Sequence, residues 1–412
     1  MTVSGSVYYQ VDQLLLERGE YLPLEFLLQE GRLSYADYEA WRNGDLAHLD
    51  EALFGDPEQV QQQLAAAEQY LQDRGWRPES VRYDSWPHLN QPTASGSAPT
   101  QLRFSANPSF DACFHRRYRK PTDHPQLDLF TDSPATCLVN GIIRSLADRQ
   151  PAEARRQLER LLDIAPDHVR VGELECLTEA AEDIESPVSD TSAELRRLRE
   201  TLTPLAASVL GPARHNLLVP LWRRLSQALQ DQPYRADEPE LHPSFAAAQA
   251  LDWAGVRRAV ESEPDWQSDR ALLLRHAVAC DQQHEYAAAL SSWFALCWRF
   301  PEQADALESS NNPDLRQHWT AFQDLDSALP TREFPAWLLV KRPGLVKVLP
   351  EPTADPVVCP ESYLTLYRLR REQLQPAGSG EEGLALRARL KQQDPVLFQH
   401  FLDTITTSTA RC

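Results

Sequence analysis

Apolar residues recur at helical spacing from the start of the chain. Val11, Leu14, Leu15 and Leu16 begin one apolar face, and Leu24, Leu27 and Leu28 continue one after Pro23. Ser34 followed by Asp37 has the form of a helix N-cap with an acidic first turn. Tyr35, Tyr38 and Trp41 follow at helical spacing, and Asn43-Gly44 predicts the stop. A longer helix is predicted over 57–75, with Val60, Leu64, Ala67, Tyr70 and Leu71 on one side. Residues 1–85 thus read as a small N-terminal helical domain.

From Trp86 the pattern breaks. Pro87, Pro92, Pro99, Pro108, Pro121, Pro125 and Pro134 interrupt every nascent element, so 86–134 reads as a Pro-rich linker. Helical spacing resumes over 135–330 as a stack of hairpins. One pair spans 136–149 and 152–164, closed by Ala165-Pro166; another spans 271–283 and a helix from Tyr286, closed by Pro301. A shorter pair, 244–250 and 254–263, precedes Pro264. The last region, 331–412, is expected to hold an extended arm or short strand pair at 334–349 (FPAWLLVKRPGLVKVL). Helices at 362–373 and 382–392 follow it.

Helix, short turn, helix, terminal proline is a plan that resembles the tetratricopeptide repeat. Ala154, Leu158 and Pro166 stand where that repeat has its small residue, its packing residue and its proline. The resemblance covers two or three hairpins and lacks the repeat's regular period. It implies stacked hairpins with a concave face that grips another protein. The expected fold class is all-α: a small N-terminal helical domain and an irregular TPR-like α-solenoid, joined by the Pro-rich segment.

Charge and composition narrow the function. A net charge of −19 repels phosphate backbones, so DNA is expected at most as an indirect partner. The seven cysteines are scattered and never spaced CxxC, which argues against a disulfide framework or a structural zinc site. No apolar run is long enough to span a membrane, and the first ten residues lack the pattern of a secretory signal. The expectation is a cytoplasmic protein with no membrane partner. No GxxxxGK[ST], GxGxxG, HExxH or GxSxG occurs, and no two histidines stand three or four apart. No catalytic residue, cofactor or metal is therefore assigned. Asp167-His168-Val169-Arg170 reads as a cap or turn, and the acidic run from Glu173 to Glu185 as a solvated helix end.

One short motif is sharp. Gln126, Leu127, Asp128, Leu129 and Phe130 spell QLDLF, which resembles the pentapeptide QL[SD]LF of bacterial proteins that dock on the DNA polymerase sliding clamp. The resemblance implies that Gln126 bonds at the rim of the clamp's groove, Leu127 lies along it, and Leu129 and Phe130 fill an apolar pocket. Asp128 would point outward. Just upstream, Arg116, Arg117, Tyr118, Arg119 and Lys120 form the densest basic run. One reading gives them a nucleic-acid contact, with Tyr118 stacking on an unpaired base; the plainer one pairs them with the protein's own acidic surface, such as Glu173 to Glu185. Trp253, Trp266, Trp293 and Trp298, beside Phe294 and Phe300, read first as gap fillers between helices and second as an aromatic groove.

The expected function is a non-catalytic helical adaptor that docks on the sliding clamp and recruits a protein partner in DNA replication, repair or genome defence. Two alternatives stay open. One is an adaptor unrelated to the clamp, with QLDLF an internal packing latch; the other is a nuclease-like enzyme with an unrecognised active site.

Overall fold

The computed structural model describes residues 3–86, 100–119, 134–325, 329–352, 359–374 and 380–409. The protein is predominantly all-α, with one small three-stranded sheet among the described residues. It divides into two compact units, Met1–Leu229 with Gln249–Asp252, and Gln230–Ala248 with Trp253–Cys412.

The first unit begins with α1 (Val3–Arg18), β1 (Glu20–Tyr21), α2 (Pro23–Gln29), α3 (Tyr35–Asn43) and α4 (Pro57–Asp73). Ser34 caps α3 by accepting the Asp37 N–H, and Gly44 closes it in the left-handed region at φ 82. Then come β2 (Arg77–Ser80), α5 (Pro108–Phe114) and β3 (Arg116–Arg119). The sheet order is β1-β3-β2, antiparallel throughout, with Tyr118 opposite both Tyr21 and Pro78.

The expected linker is corrected here. Trp86, Leu102, Phe104, Phe110, Phe114 and Tyr118 are buried in one core with Val11, Phe26, Trp41 and Leu64. Two of the prolines taken as interruptions instead start helices: Pro108 opens α5 and Pro134 opens α6, where no intrahelical N–H is needed.

Six further helices complete this unit: α6 (Pro134–Ala147), α7 (Pro151–Ile164), α8 (Val171–Glu182), α9 (Thr191–Arg196), α10 (Thr203–Leu210) and α11 (Arg214–Ala228). The expected boundary at residue 135 therefore does not hold, because α6 to α11 share a unit with α1 to α5. A π-helical turn, Arg197–Leu202, links α9 to α10. Pro204 follows it; lacking an N–H and clashing with the carbonyl four residues back, it forces the helix to widen. Pro220 lies inside α11 and withholds the same bond from the Asn216 carbonyl.

The second unit holds α12 (Pro243–Gln249), α13 (Trp253–Glu261), α14 (Arg270–Gln282), α15 (Tyr286–Arg299) and α16 (Pro313–Gln323). It ends with α17 (Phe334–Lys341), α18 (Glu361–Gln373), α19 (Gly380–Gln393) and α20 (Pro395–Thr409). The expected extended arm at 334–349 is corrected to a helix, α17, followed by a 3-10 turn. Phe334 to Val340 are all buried: a helix apolar on every side sits at the centre of a core, which its sequence could not show. Arg370 reaches in to donate to the Val340 carbonyl at its C-terminal end.

The hairpins α6–α7 and α14–α15 repeat one another in detail. Each turn holds a non-glycine residue at positive φ, Arg149 (55°) and His284 (58°). Gln150 N–H bonds the Ser145 carbonyl at 2.8 Å, and Glu285 N–H bonds that of Cys280 at 2.9 Å. The second helices end alike, at Ala165 and Phe300, each before a proline. Ala154, Leu158 and Leu161 are buried in one hairpin, as Ala289, Trp293 and Leu296 are at the same places in the other.

Candidate partner-docking site

Gln126, Leu127, Asp128, Leu129, Phe130 and Lys120 lie outside the described residues. The structure gives the two elements that flank their segment in the chain. On one side it leaves β3, the middle strand of the sheet; on the other it enters α6, which buries Val139, Ile142 and Leu146. Both anchors belong to the first unit.

The basic run upstream is strand β3, and its charges are matched locally. Arg119 Nε lies 2.7 Å from Glu20 and Arg117 Nε 2.8 Å from Glu79, each pair directly opposite across the sheet. Arg116 pairs with Glu68 of α4. Tyr118 is 1% exposed and donates its hydroxyl to Glu68 at 2.6 Å. Burial, reinforced by that carboxylate, pushes its phenol up to about 12. The base-stacking role suggested for Tyr118 is thereby corrected, since its ring belongs to the core. The acidic partners are Glu20, Glu68 and Glu79, not the 173–185 run. In that run Glu182 pairs with Arg155 and Asp183 with Arg197.

Beside this strand lies an open polar groove of about 790 Å³, whose lining includes Ser80, Gln101, Arg103, Asp111, His115 and Arg116. Asp111 Oδ1 accepts the N–H groups of Phe104 (2.7 Å) and Ser105 (3.3 Å). His115 Nδ1 lies 3.0 Å from the Val81 carbonyl, and its Nε2 lies 3.6 Å from Asp111.

A second constellation, which the sequence did not announce, is buried in the same unit. Glu39 of α3 pairs with Arg149 at 2.7 Å and with Arg223 of α11 at 2.6 Å. Burial raises the Glu39 carboxyl, but the two guanidiniums outweigh it and hold it below the usual range. Arg42 bonds Asp148 at 2.9 Å, and both Arg42 and Arg149 stack on the Trp86 ring, at 4.7 and 4.0 Å. The only sequence signal was a proline inside an apolar helix, whose orphaned carbonyl calls for a donor.

In the second unit two imidazoles each bridge a serine and a glutamate. His276 Nδ1 lies 2.9 Å from Ser292 Oγ and its Nε2 3.0 Å from Glu261. His242 Nδ1 lies 2.8 Å from Ser244 Oγ and its Nε2 3.3 Å from Glu263. Burial holds both imidazoles below their usual value, although the glutamates pull the other way. Hydroxyl, imidazole and carboxylate follow the order of an activated serine. Their place in the fold gives another account. His276 and Ser292 occupy the positions of Gly141 and Gln157 in the other hairpin, where a Cβ on Gly141 would stand 2.0 Å from Gln157 Oε1. Large against small is swapped across one helix contact, which is a packing solution.

The tryptophans divide. Trp293 is fully buried, whereas Trp266 and Trp298 line a pocket of about 200 Å³ with Phe294 and Tyr363. Among the described residues no group of histidine, cysteine and carboxylate side chains is placed to hold a metal, and no helix is long and apolar enough to cross a membrane. Compared with protein families, with curated proteins and with solved structures, the chain matches none.

Proposed function

We propose that this protein is a non-catalytic adaptor of the bacterial cytoplasm that docks on the DNA polymerase sliding clamp through Gln126–Phe130. Its helical hairpins then hold a further protein partner, in replication, repair or genome defence. The observation that carries the reading is the peptide itself, which agrees with QL[SD]LF at all five positions. An extended peptide of this kind places alternate side chains in a groove while its backbone sets the register. Burying Leu129 and Phe130 supplies about 1.5–3 kcal/mol each before ordering costs, so a micromolar Kd is the natural scale. The anchors favour docking: a segment tied at both ends to packed elements loses less entropy than a free tail. The likeness between α6–α7 and α14–α15 supports the tetratricopeptide-like reading, and with it a protein partner.

The test is binding of purified bacterial clamp to the full chain and to a Leu129→Ala/Phe130→Ala variant. The proposal expects binding by the first and its loss in the second. Equal binding by both, or binding by neither, overturns it.

A further inference from the structure

The groove beside β2 holds one charged side chain without a partner among the described residues. Of its charged lining residues, Arg116 is paired with Glu68, Glu79 with Arg117, and Asp111 with two main-chain N–H groups and His115. Arg103 is different. Its main-chain carbonyl accepts the Trp41 indole N–H at 2.9 Å, which fixes the backbone, while its exposed guanidinium has no partner among the described residues. Among the described residues the groove thus offers one uncommitted cation, in a chain of net charge −19.

Its wall offers unpaired backbone as well. β2 is an edge strand, bonded to β3 on one side only. Val81 N–H bonds the His115 carbonyl at 2.9 Å, so Val81 and Glu79 face β3, and Pro78 and Ser80 turn their main-chain groups outward. Pro78 has no N–H, which blunts this edge against long strand pairing. Among the described residues this leaves free the Ser80 N–H and the Pro78 and Ser80 carbonyls, enough for a short clip. Ser80 and Gln101 line the groove here.

We propose that this groove binds a short extended peptide bearing an acidic side chain, its backbone pairing with β2 at Pro78 and Ser80 and its carboxylate meeting Arg103. The partner is a protein with an exposed acidic segment. Backbone bonds supply sequence-independent affinity and Arg103 selects the charge. The site does not involve residues 126–130, so it stands or falls separately from clamp docking.

The experiment selects a displayed random-peptide library in parallel against the full-length protein, Arg103→Glu and Ser80→Pro. Wild type should enrich peptides with an Asp or Glu at one position, and Arg103→Glu should lose that consensus. Individual enriched peptides should bind Arg103→Glu about tenfold or more weakly. Ser80→Pro, which removes the outward N–H, should weaken the same peptides without changing their charge preference. Arg103 and Ser80 are exposed, so both variants should fold, and circular dichroism checks this. The same consensus from wild type and Arg103→Glu overturns the proposal, as does no consensus from wild type. Oligo(dT) outcompeting the peptides in an Arg103-dependent way would overturn it in favour of nucleic acid.

Discussion

Arg149 supplies the hydrogen that Pro220 lacks. The proline leaves the Asn216 carbonyl of α11 without its helical N–H, and Arg149 Nε donates to that oxygen at 2.8 Å. The same guanidinium pairs with Glu39 and lies on Trp86, so one side chain from the α6–α7 turn joins three other segments. Asn216 returns the contact: its side chain donates to the Ala147 carbonyl and accepts from the Tyr35 hydroxyl.

This arrangement predicts a coupling that can be measured. Arg149→Met leaves Glu39 with one of its two cations and the Asn216 carbonyl bare, and should cost about 3–5 kcal/mol in urea unfolding. Pro220→Ala restores the helix's own N–H to that carbonyl. In the Pro220→Ala background Arg149→Met should therefore cost at least about 1 kcal/mol less. Strict additivity of the two substitutions would refute the relationship.

The repeated hairpins predict a size exchange. Gly141→Ala gains about 1 kcal/mol of helix propensity, but its methyl displaces the Gln157 amide, which bonds Glu153 at 2.7 Å. Alone it should be neutral or mildly destabilising. Combined with Gln157→Ser, the residue the other hairpin carries there, it should be stabilising relative to Gln157→Ser alone. Thermal melts of the four proteins complete the cycle.

Acid should weaken the second unit through its histidines. Folding lowers the pKa of His276 and His242, so the unfolded chain binds more protons just below the ordinary histidine value, about 6.5. Their contribution is full above that pH and is lost as the pH falls toward the folded values. Asp281 and Glu333 act in the opposite sense, because burial raises both carboxyls and their contribution shrinks as the pH rises through the folded values. The histidine part is isolated by substitution. Between about pH 7 and about pH 5.5 wild type should lose more stability than His276→Gln. An identical pH slope for the two proteins would count against the assignment.

Thiol chemistry should report the same unit independently. Burial pushes the Cys280 thiol up to about 11 and the Cys359 thiol up to about 12, and raises that of Cys297 as well. Alkylation at neutral pH, read peptide by peptide in a mass spectrometer, should spare these three until the unit opens. Cys137, exposed on α6, should react at once. Rapid labelling of Cys297 in the native protein would contradict the packing described.

What the sequence made legible was local. Ser34 and Gly44 bound α3 because capping chemistry is settled within a few residues, and Pro166 and Pro301 end their hairpins for the same reason. What it hid depends on distant partners. Arg116 to Arg119 carry no sign of being a strand, since Glu20, Glu68 and Glu79, which neutralise them, lie far away in the chain. The apolar run from Phe334 to Val340 has no polar face to show its period, so helix and strand read alike. Of the candidate docking site, the peptide was visible as a motif and the groove at Arg103 was not, because β2, α5 and the 101–106 segment converge only in three dimensions.

The sheet order also dictates when this protein can fold on the ribosome. Tyr21 is synthesised early, yet its neighbour across the sheet, Tyr118, arrives much later, and Glu39 must wait for Arg223. Until translation passes Tyr118, the nascent chain carries Phe26, Trp41 and Leu64 without Phe104, Phe114 and Tyr118, which share their core. Residues 1–85 alone would therefore leave that core uncovered, and a product truncated there is expected to fall to proteases.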